Sequence, residues 1–206
     1  MKQLLRISLP FLLLFTSLNS ISQEVYFSTG LNQTTYDFEG TGDEAYLNQG
    51  AGNFYELGLV YRAVNDRLVY SVGFSLNELN SSGGDLANYY SWTTNYIGLN
   101  NSLVFSLKPT NNFPVDFLVG LSLEPMTILH GEQRINSTLY LLQKEQEFKG
   151  LCIETGLAFE LKYEIKNNFG ISLGYNYSLI QNLSNLGPEQ LSFLNRQIRL
   201  AINFRY

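Results

Sequence analysis

The chain is poor in the residues from which most catalytic and metal sites are built. Among its 206 residues there is one cysteine, one histidine and one tryptophan, and only 15% of the residues are charged. The lone Cys152 excludes an internal disulfide and a zinc site with several cysteine ligands. The net charge is −5, without a cluster of lysine and arginine, which argues against nucleic acid as a partner. We therefore expect no cofactor, no metal ion and no nucleic acid.

Beyond its first residues the chain has no apolar run that could form a transmembrane helix, which needs about 20 residues. The short apolar run at 9–15 follows two basic residues and is itself followed by small residues up to Ser22. This arrangement is typical of a secretory signal peptide. We expect residues 1–22 to be removed by cleavage before Gln23; a retained N-terminal anchor is the alternative.

The remaining chain, residues 23–206, forms a single predicted domain of 184 residues (206 − 22). Cleavage removes two basic residues and no acidic ones, so the net charge falls to −7 (11 basic against 18 acidic residues). Aromatic residues and glycine are abundant, with 14 tyrosines, 14 phenylalanines and 17 glycines in the whole sequence. That composition, with so few charges, fits a transmembrane β-barrel with aromatic girdles.

Apolar and polar residues alternate along eight segments of this domain. Alternation at a period of two predicts a β-strand with one apolar and one polar face. The predicted strands are 25–31, 54–63, 68–77, 97–107, 115–124, 151–163, 169–179 and 197–206. The sequence therefore predicts an all-β domain of eight strands.

The connections between these strands alternate in length. Short turns follow the second, fourth and sixth strands, whereas long polar loops follow the first, third, fifth and seventh, at 37–52, 80–91, about 130–147 and 181–190. This alternation predicts an antiparallel up-and-down transmembrane barrel with one rim of turns and one rim of loops. Both termini should lie on the turn rim, which we expect to face the periplasm. A soluble barrel or sandwich is the alternative, but it gives no reason for loop lengths to alternate.

The last predicted strand has the clearest pattern, because one face is wholly apolar up to the final residue. Its residues Arg199, Ala201, Phe204 and Tyr206 resemble the C-terminal assembly signal of bacterial outer-membrane β-barrels. Alanine at 201 stands where that signal usually has glycine. Together with Thr-Gly-Leu-Asn at 29–32 and the predicted cleavage site, this ending resembles the small, eight-stranded outer-membrane β-barrel domain family, of the type abundant in Bacteroidota.

The resemblance implies an outer-membrane location, lipid around the barrel and insertion by the outer-membrane assembly machinery. Some family members are accessory subunits of larger outer-membrane assembly or secretion complexes. From this we expect a non-enzymatic structural or interaction protein, with other outer-membrane proteins as candidate partners. Asn101, on an otherwise apolar strand face, is a weak indication of a lateral contact. A narrow channel or small-ligand transporter is one alternative, and a lipid-active enzyme is another.

The polar faces of the predicted strands carry charged residues of both signs. Eight strands enclose a lumen that side chains fill, and charges buried there persist only when they are paired. We therefore expect an interior ion-pair network, with a proton path or small pore as the functional alternative. Its predicted members are Glu56, Arg62, Glu124, Glu154, Glu160, Lys162, Arg199 and Arg205.

Other candidate sites are weaker. His130, with Glu132 two residues on, is the residue on which a lipid-active enzyme would depend, but we expect it to be a solvated loop histidine, because a single histidine near a glutamate often occurs by chance. Cys152 is expected to be an inert, packed thiol. A loop with four carboxylates lacks the ligand spacing of a calcium loop, so we expect it to be solvated. Those carboxylates are Asp37, Glu39, Asp43 and Glu44.

Three aromatic residues, Tyr89, Tyr90 and Trp92, lie in the second long predicted loop or directly after it. Aromatic residues near strand ends suit the interfacial belts of a membrane barrel. Tyrosine and tryptophan also dominate the energetically important positions of protein interfaces. These three residues are therefore candidates either for the belt or for a loop contact with another protein.

Overall fold

The computed structural model describes residues 22–38, 47–64, 66–84, 89–108, 113–136, 138–144, 151–166, 168–179, 182–183 and 192–206. Residues 1–21 of the predicted signal peptide lie outside these ranges. The same holds for Glu39, Asp43 and Glu44 of the candidate calcium loop, and for the side chain of Asp37. Among the described residues, no helix is long and apolar enough to cross a membrane.

Ten β-strands and one short 3-10 helix, Leu142–Lys144, make up the described part of the chain. The strands are β1 (Ser22–Phe38), β2 (Leu47–Ala63), β3 (Leu68–Gly84), β4 (Tyr89–Ser106), β5 (Val115–Ile135), β6 (Thr138–Leu141), β7 (Cys152–Lys166), β8 (Phe169–Ser178), β9 (Asn182–Leu183) and β10 (Ser192–Arg205).

Eight of these strands close into an antiparallel barrel, as the alternating pattern predicts. The order is β1-β2-β3-β4-β5-β7-β8-β10, and β10 pairs with β1 to complete the circle. The short β6 pairs with β5, and β9 pairs with β10. Following paired residues from Ser22 once around the barrel leads back to Thr34, twelve residues further along β1 (34 − 22). A stagger of this size in eight strands requires them to tilt by about 45°.

The two faces of each strand have the environments that the period of two predicts. On β2 and β3, Leu57 is 56% exposed and Phe74 is 69% exposed, whereas their neighbours Glu56 and Ser75 are 7% and 1% exposed. The outer surface is thus an apolar band, suited to lipid, and the polar side chains line the lumen.

Both chain ends lie at one rim of the barrel. Val25 and Tyr206 exchange two backbone hydrogen bonds there, of 3.0 and 2.9 Å. The same rim carries the β2–β3 turn, in which Val64 and Asp66 adopt positive φ values of 53° and 64°. It also carries the connections from β4 to β5 and from β7 to β8. We call this end the turn rim and the opposite end the loop rim.

The strands extend further towards the loop rim than their alternation predicts. Residues 47–52, 80–84, 89–91 and 130–135, which we expected in loops, continue β2, β3, β4 and β5. These segments are polar on both faces, so the period of two disappears, but their backbones still pair with neighbouring strands whose register is already set. β5 reaches 21 residues, although about 9–11 residues suffice for a strand to span a bilayer. The barrel wall therefore continues well beyond the apolar band.

Candidate functional site in the barrel lumen

Towards the loop rim the lumen contains an apolar layer. Leu79, Tyr96 and Met126, which are 3%, 8% and 2% exposed, pack together from β3, β4 and β5. Trp92, Ile128 and Cys152 pack against them. We call these six residues the apolar cap. Because Cys152 belongs to it, the thiol lies among apolar neighbours, as expected for a packed rather than a catalytic cysteine.

Below the cap, Arg199 of β10 joins three walls of the barrel. Its guanidinium lies 3.4 Å from a carboxylate oxygen of Glu124 on β5 and 4.0 Å from one of Glu56 on β2. Its Nε donates to the side chain of Gln197 at 3.0 Å, and its Cζ lies 5.3 Å from the centre of the Phe54 ring. The three ionised side chains are only 12%, 4% and 8% exposed, so these ion pairs are buried.

Neutral donors complete the coordination of both carboxylates. Glu124 accepts hydrogen bonds from Ser75 and, at 2.7 Å, from Asn77. Glu56 accepts hydrogen bonds from the Tyr26 hydroxyl and, at 3.0 Å, from Asn100. A carboxylate surrounded by several donors retains its charge more readily in a low-dielectric interior.

Glycine makes room for these groups at two close approaches. A Cβ at Gly98 would lie 2.8 Å from the Ser75 hydroxyl and 3.0 Å from a carboxylate oxygen of Glu124. A Cβ at Gly73 would lie 2.5 Å from the Tyr26 hydroxyl. Both glycines therefore allow the carboxylates and their donors to pack against the wall.

A second group of charges lies at the turn rim. Arg205 is 3.9 Å from Glu24 and 3.4 Å from Glu164, and Arg62 is also 3.9 Å from Glu24. Lys108 donates to Glu164 at 2.8 Å. The glutamates here are about one-third exposed, so this group is more hydrated than the pairs around Arg199.

The predicted eight-residue network is therefore divided into separate groups. Glu56, Glu124 and Arg199 meet directly, and Glu154 joins them through the amide of Gln197, which donates to it at 3.3 Å. Arg62 and Arg205 lie in the group at the turn rim. Glu160 and Lys162 belong to neither group: within the described part of the chain, neither forms an ion pair or a hydrogen bond.

The sequence prediction missed several members of both groups. Glu24 and Glu164 lie one residue beyond the predicted ends of their strands, and Lys108 follows a strand end. Extending the period of two by one residue would have found both glutamates. Tyr26 and Gln197 were missed because, as neutral residues, they carry no distinguishing signal in a polar face.

A cavity of about 150 Å³ lies in the lumen between the Arg199 group and the turn rim. Part of its wall is an apolar cluster from β2 to β5, formed by Val60, Val69, Val104 and Leu118. The rest is mainly polar and comes largely from β7, β8 and β10, with Lys162 among its side chains.

His130 lies on β5, close to the loop rim, rather than in a loop. Its Nε2 is 3.2 Å from a Glu132 carboxylate oxygen, and its Nδ1 is 3.4 Å from the side-chain amide of Gln143. The imidazole is about half exposed. These contacts place the histidine in an exposed polar cluster outside the lumen. No group of three or more His, Cys, Asp or Glu residues within the described ranges is arranged to hold a metal ion.

The candidate aromatic contact residues also lie in a strand, so their placement in a loop was wrong. Tyr89, Tyr90 and Trp92 belong to β4 and pair with β3. Trp92 belongs to the apolar cap, and the side chains of the two tyrosines lie outside the described residues. The loop prediction failed because this segment is polar on both sides of the aromatic residues.

Asn101 has hydrogen-bond partners within the barrel wall. Its carbonyl oxygen accepts from the Tyr70 hydroxyl at 3.2 Å, and its amide donates to the backbone oxygens of Leu99 and Leu123 at 2.9 and 3.3 Å. A satisfied amide needs no external partner in lipid. The indication of a lateral contact at this residue is correspondingly weak.

The four residues of the predicted assembly signal divide between the two faces of β10. Arg199 and Ala201 face the lumen, where Ala201 lines the cavity. Phe204 faces outward and lies between Phe27 and Phe169, at ring-centre distances of 6.3 and 5.3 Å. Tyr206 is 80% exposed at the turn rim. The outward aromatics thus lie at the end of the apolar band, where interfacial residues are expected.

Comparisons with known proteins agree with this architecture. The family model described as "Outer membrane protein beta-barrel domain" matches residues 7–204. The crystal structure of Neisserial surface protein A has a TM-score of 0.53 at 10% identity, covering 88% of this chain and 97% of that one. The outer membrane protein OprG from Pseudomonas aeruginosa has a TM-score of 0.50 at 13% identity, covering 90% and 97%. Identities this low indicate a shared fold only. No curated protein matches the chain.

Proposed function

Because the chain belongs to the outer-membrane β-barrel domain family and therefore lies in the outer-membrane bilayer, we propose that it acts there as a non-enzymatic structural or interaction protein. The observation that carries this proposal is the filled lumen. The apolar cap and the Arg199 group occupy two successive levels of the barrel, and Arg199 alone contacts side chains from β2 and β5. A conducting pore needs a hydrated path through both levels.

The extension of the wall beyond the apolar band supports a role in interaction. Side-chain hydrogen bonds hold it together: Glu78 accepts from the Asn80 and Asn53 amides at 2.9 and 3.0 Å, and Ser81 donates to the Asn48 backbone oxygen at 3.0 Å. A wall ordered by such bonds offers a preformed surface, which reduces the entropic cost of binding. Beyond it, the β5–β6 hairpin carries Leu139 and Tyr140, which are 49% and 44% exposed.

The proposal includes an orientation and a class of partner. The turn rim, with both termini, faces the periplasm, and the loop rim faces outward, as is general for barrels with alternating turn and loop lengths. Residues 1–22 act as the signal peptide. The protein is of the Bacteroidota type and serves as an accessory subunit that contacts other outer-membrane proteins through the loop-rim extension.

Conductance across a planar lipid bilayer tests the filled lumen. The purified barrel should give no discrete conductance steps, because the Arg199 group and the cap obstruct the lumen. Replacing Met126 and Arg199 together by alanine removes one large side chain from each level and is the control that should raise the conductance. Discrete steps from the unmodified protein would refute the non-conducting role.

Purification from the native outer membrane tests the interaction role. We expect other outer-membrane proteins to be recovered in stoichiometric amounts with the unmodified chain. Serine at both Leu139 and Tyr140 should abolish that recovery without unfolding the barrel, since both side chains are exposed. Asn101→Ala is the matched control on the lipid face and should leave recovery unchanged. Recovery of the barrel alone would contradict the accessory role.

A further inference from the structure

The luminal cavity contains a buried lysine that makes no direct contact with a carboxylate of the described residues, although Glu160 attracts it electrostatically and Asp116 lies opposite it in the β5–β7 register. Lys162 is 8% exposed and lines the cavity, and it forms no ion pair or hydrogen bond within the described part of the chain. The other two cationic residues of the cavity wall, Arg199 and Arg205, already have carboxylate partners. A buried ammonium that lacks a partner is costly, and a bound anion would offset that cost.

The opposite wall determines what kind of anion fits. Val60, Val69, Val104 and Leu118 form a continuous buried apolar surface there, with Ala158 beside it. A small inorganic anion would leave that surface in contact with water. A cavity of about 150 Å³ is large enough for a benzene-sized apolar group. A few convergent polar groups on a largely apolar wall are the usual features of a small-molecule site.

The cavity leads towards the turn rim. Three of its residues, Lys162, Asn203 and Arg205, also line a small pocket next to the β7–β8 turn, together with Asn168. Towards the loop rim the Arg199 group closes the lumen. A ligand would therefore enter and leave at the turn rim, and its binding is compatible with a barrel that conducts nothing.

We propose that this cavity binds a small organic carboxylate, with the carboxylate at the Lys162 ammonium and the apolar part against the valine and leucine wall. Glu160, two residues away on the same face of β7, also lines the cavity; it attracts Lys162 electrostatically but forms no ion pair or hydrogen bond with the described residues. Its negative charge weakens binding of a simple carboxylate. A zwitterionic ligand would instead gain from Glu160, so this residue distinguishes the two ligand classes.

The test uses the full mature chain folded in detergent micelles, with 4-fluorobenzoate as the probe and fluorine NMR as the measurement. Saturable binding of 4-fluorobenzoate is expected, with 4-fluorobenzamide, acetate and phosphate each binding more weakly. The amide lacks the charge, and the two small anions lack the apolar part. A response that does not saturate, or equal binding of acid and amide, would overturn the proposal.

Three variants assign the binding to the cavity. Lys162→Met should weaken 4-fluorobenzoate binding by about tenfold or more, the change expected for one charged hydrogen bond. Lys108→Met, at the turn rim but outside the cavity wall, is the matched control and should change it less than about twofold. Glu160→Gln should tighten binding, and weaker binding in this variant would refute a simple carboxylate. Circular dichroism and thermal unfolding check that each variant is folded.

Discussion

Arg199 is the cation of a buried group in which it contacts two carboxylates directly. Replacing it by methionine removes that cation and leaves both carboxylates without it. The guanidinium pairs with Glu124 and Glu56, and all three side chains are at most 12% exposed. Removing one partner of a buried ion pair costs about 3–5 kcal/mol, because the remaining charge is left uncompensated. A domain of this size is stable by about 5–15 kcal/mol, so the loss is a large fraction of the total.

The matched control for this variant is Arg205→Met. Arg205 pairs with Glu24 and Glu164, whose side chains are 31% and 32% exposed. Pairs that reach water contribute about 0–1 kcal/mol, so this substitution should cost far less. Adding Glu124→Gln to Arg199→Met should recover part of the lost stability, because it removes one uncompensated charge.

Urea unfolding in lipid vesicles measures these differences. Trp92 is the only tryptophan and packs against the apolar cap, so its fluorescence reports on the folded lumen. Equal losses for Arg199→Met and Arg205→Met would refute the buried ion-pair network.

Three further predictions concern packing, assembly and processing. Gly98→Ala should destabilise the barrel by about 1–3 kcal/mol, because the added methyl group meets the Glu124 carboxylate, whereas Gly174→Ala, with neighbours at 3.8 Å, should be nearly neutral in the same unfolding assay. Tyr206→Ala should slow insertion into the outer membrane in cells without changing the stability of the folded barrel, since the side chain is 80% exposed. Mass spectrometry of the protein from outer membranes should find Gln23 at the N-terminus, and an intact N-terminal segment would contradict the predicted cleavage.

Much of the barrel could be predicted from the sequence because the relevant signal is local. Alternation at a period of two identifies a strand and its two faces without knowledge of its neighbours. The eight main strands and their inward and outward residues agree with that prediction. The strand ends towards the loop rim could not be predicted, because the backbones there continue to pair beyond the residues in which apolar and polar side chains alternate.

The candidate sites were less predictable for the same reason. The sequence indicates that Glu124 and Arg199 both face the lumen. They are 75 residues apart, however, and no local sequence pattern indicates that their side chains are in contact. Their levels depend on the registers of all eight strands together. The same registers place Lys162 at the wall of the cavity, opposite Asp116 on β5, rather than in either group of ion pairs.

The eight strands, their two faces, the alternation of turns and loops and the resemblance to an outer-membrane family can all be read from local sequence. Each of these follows from the side-chain period or from a short motif. Which charges pair, where the apolar cap lies and which side chains line the cavity are settled only when the strands assemble. Those outcomes depend on the twelve-residue stagger that closes the barrel, which is a property of the whole sheet and of no single segment.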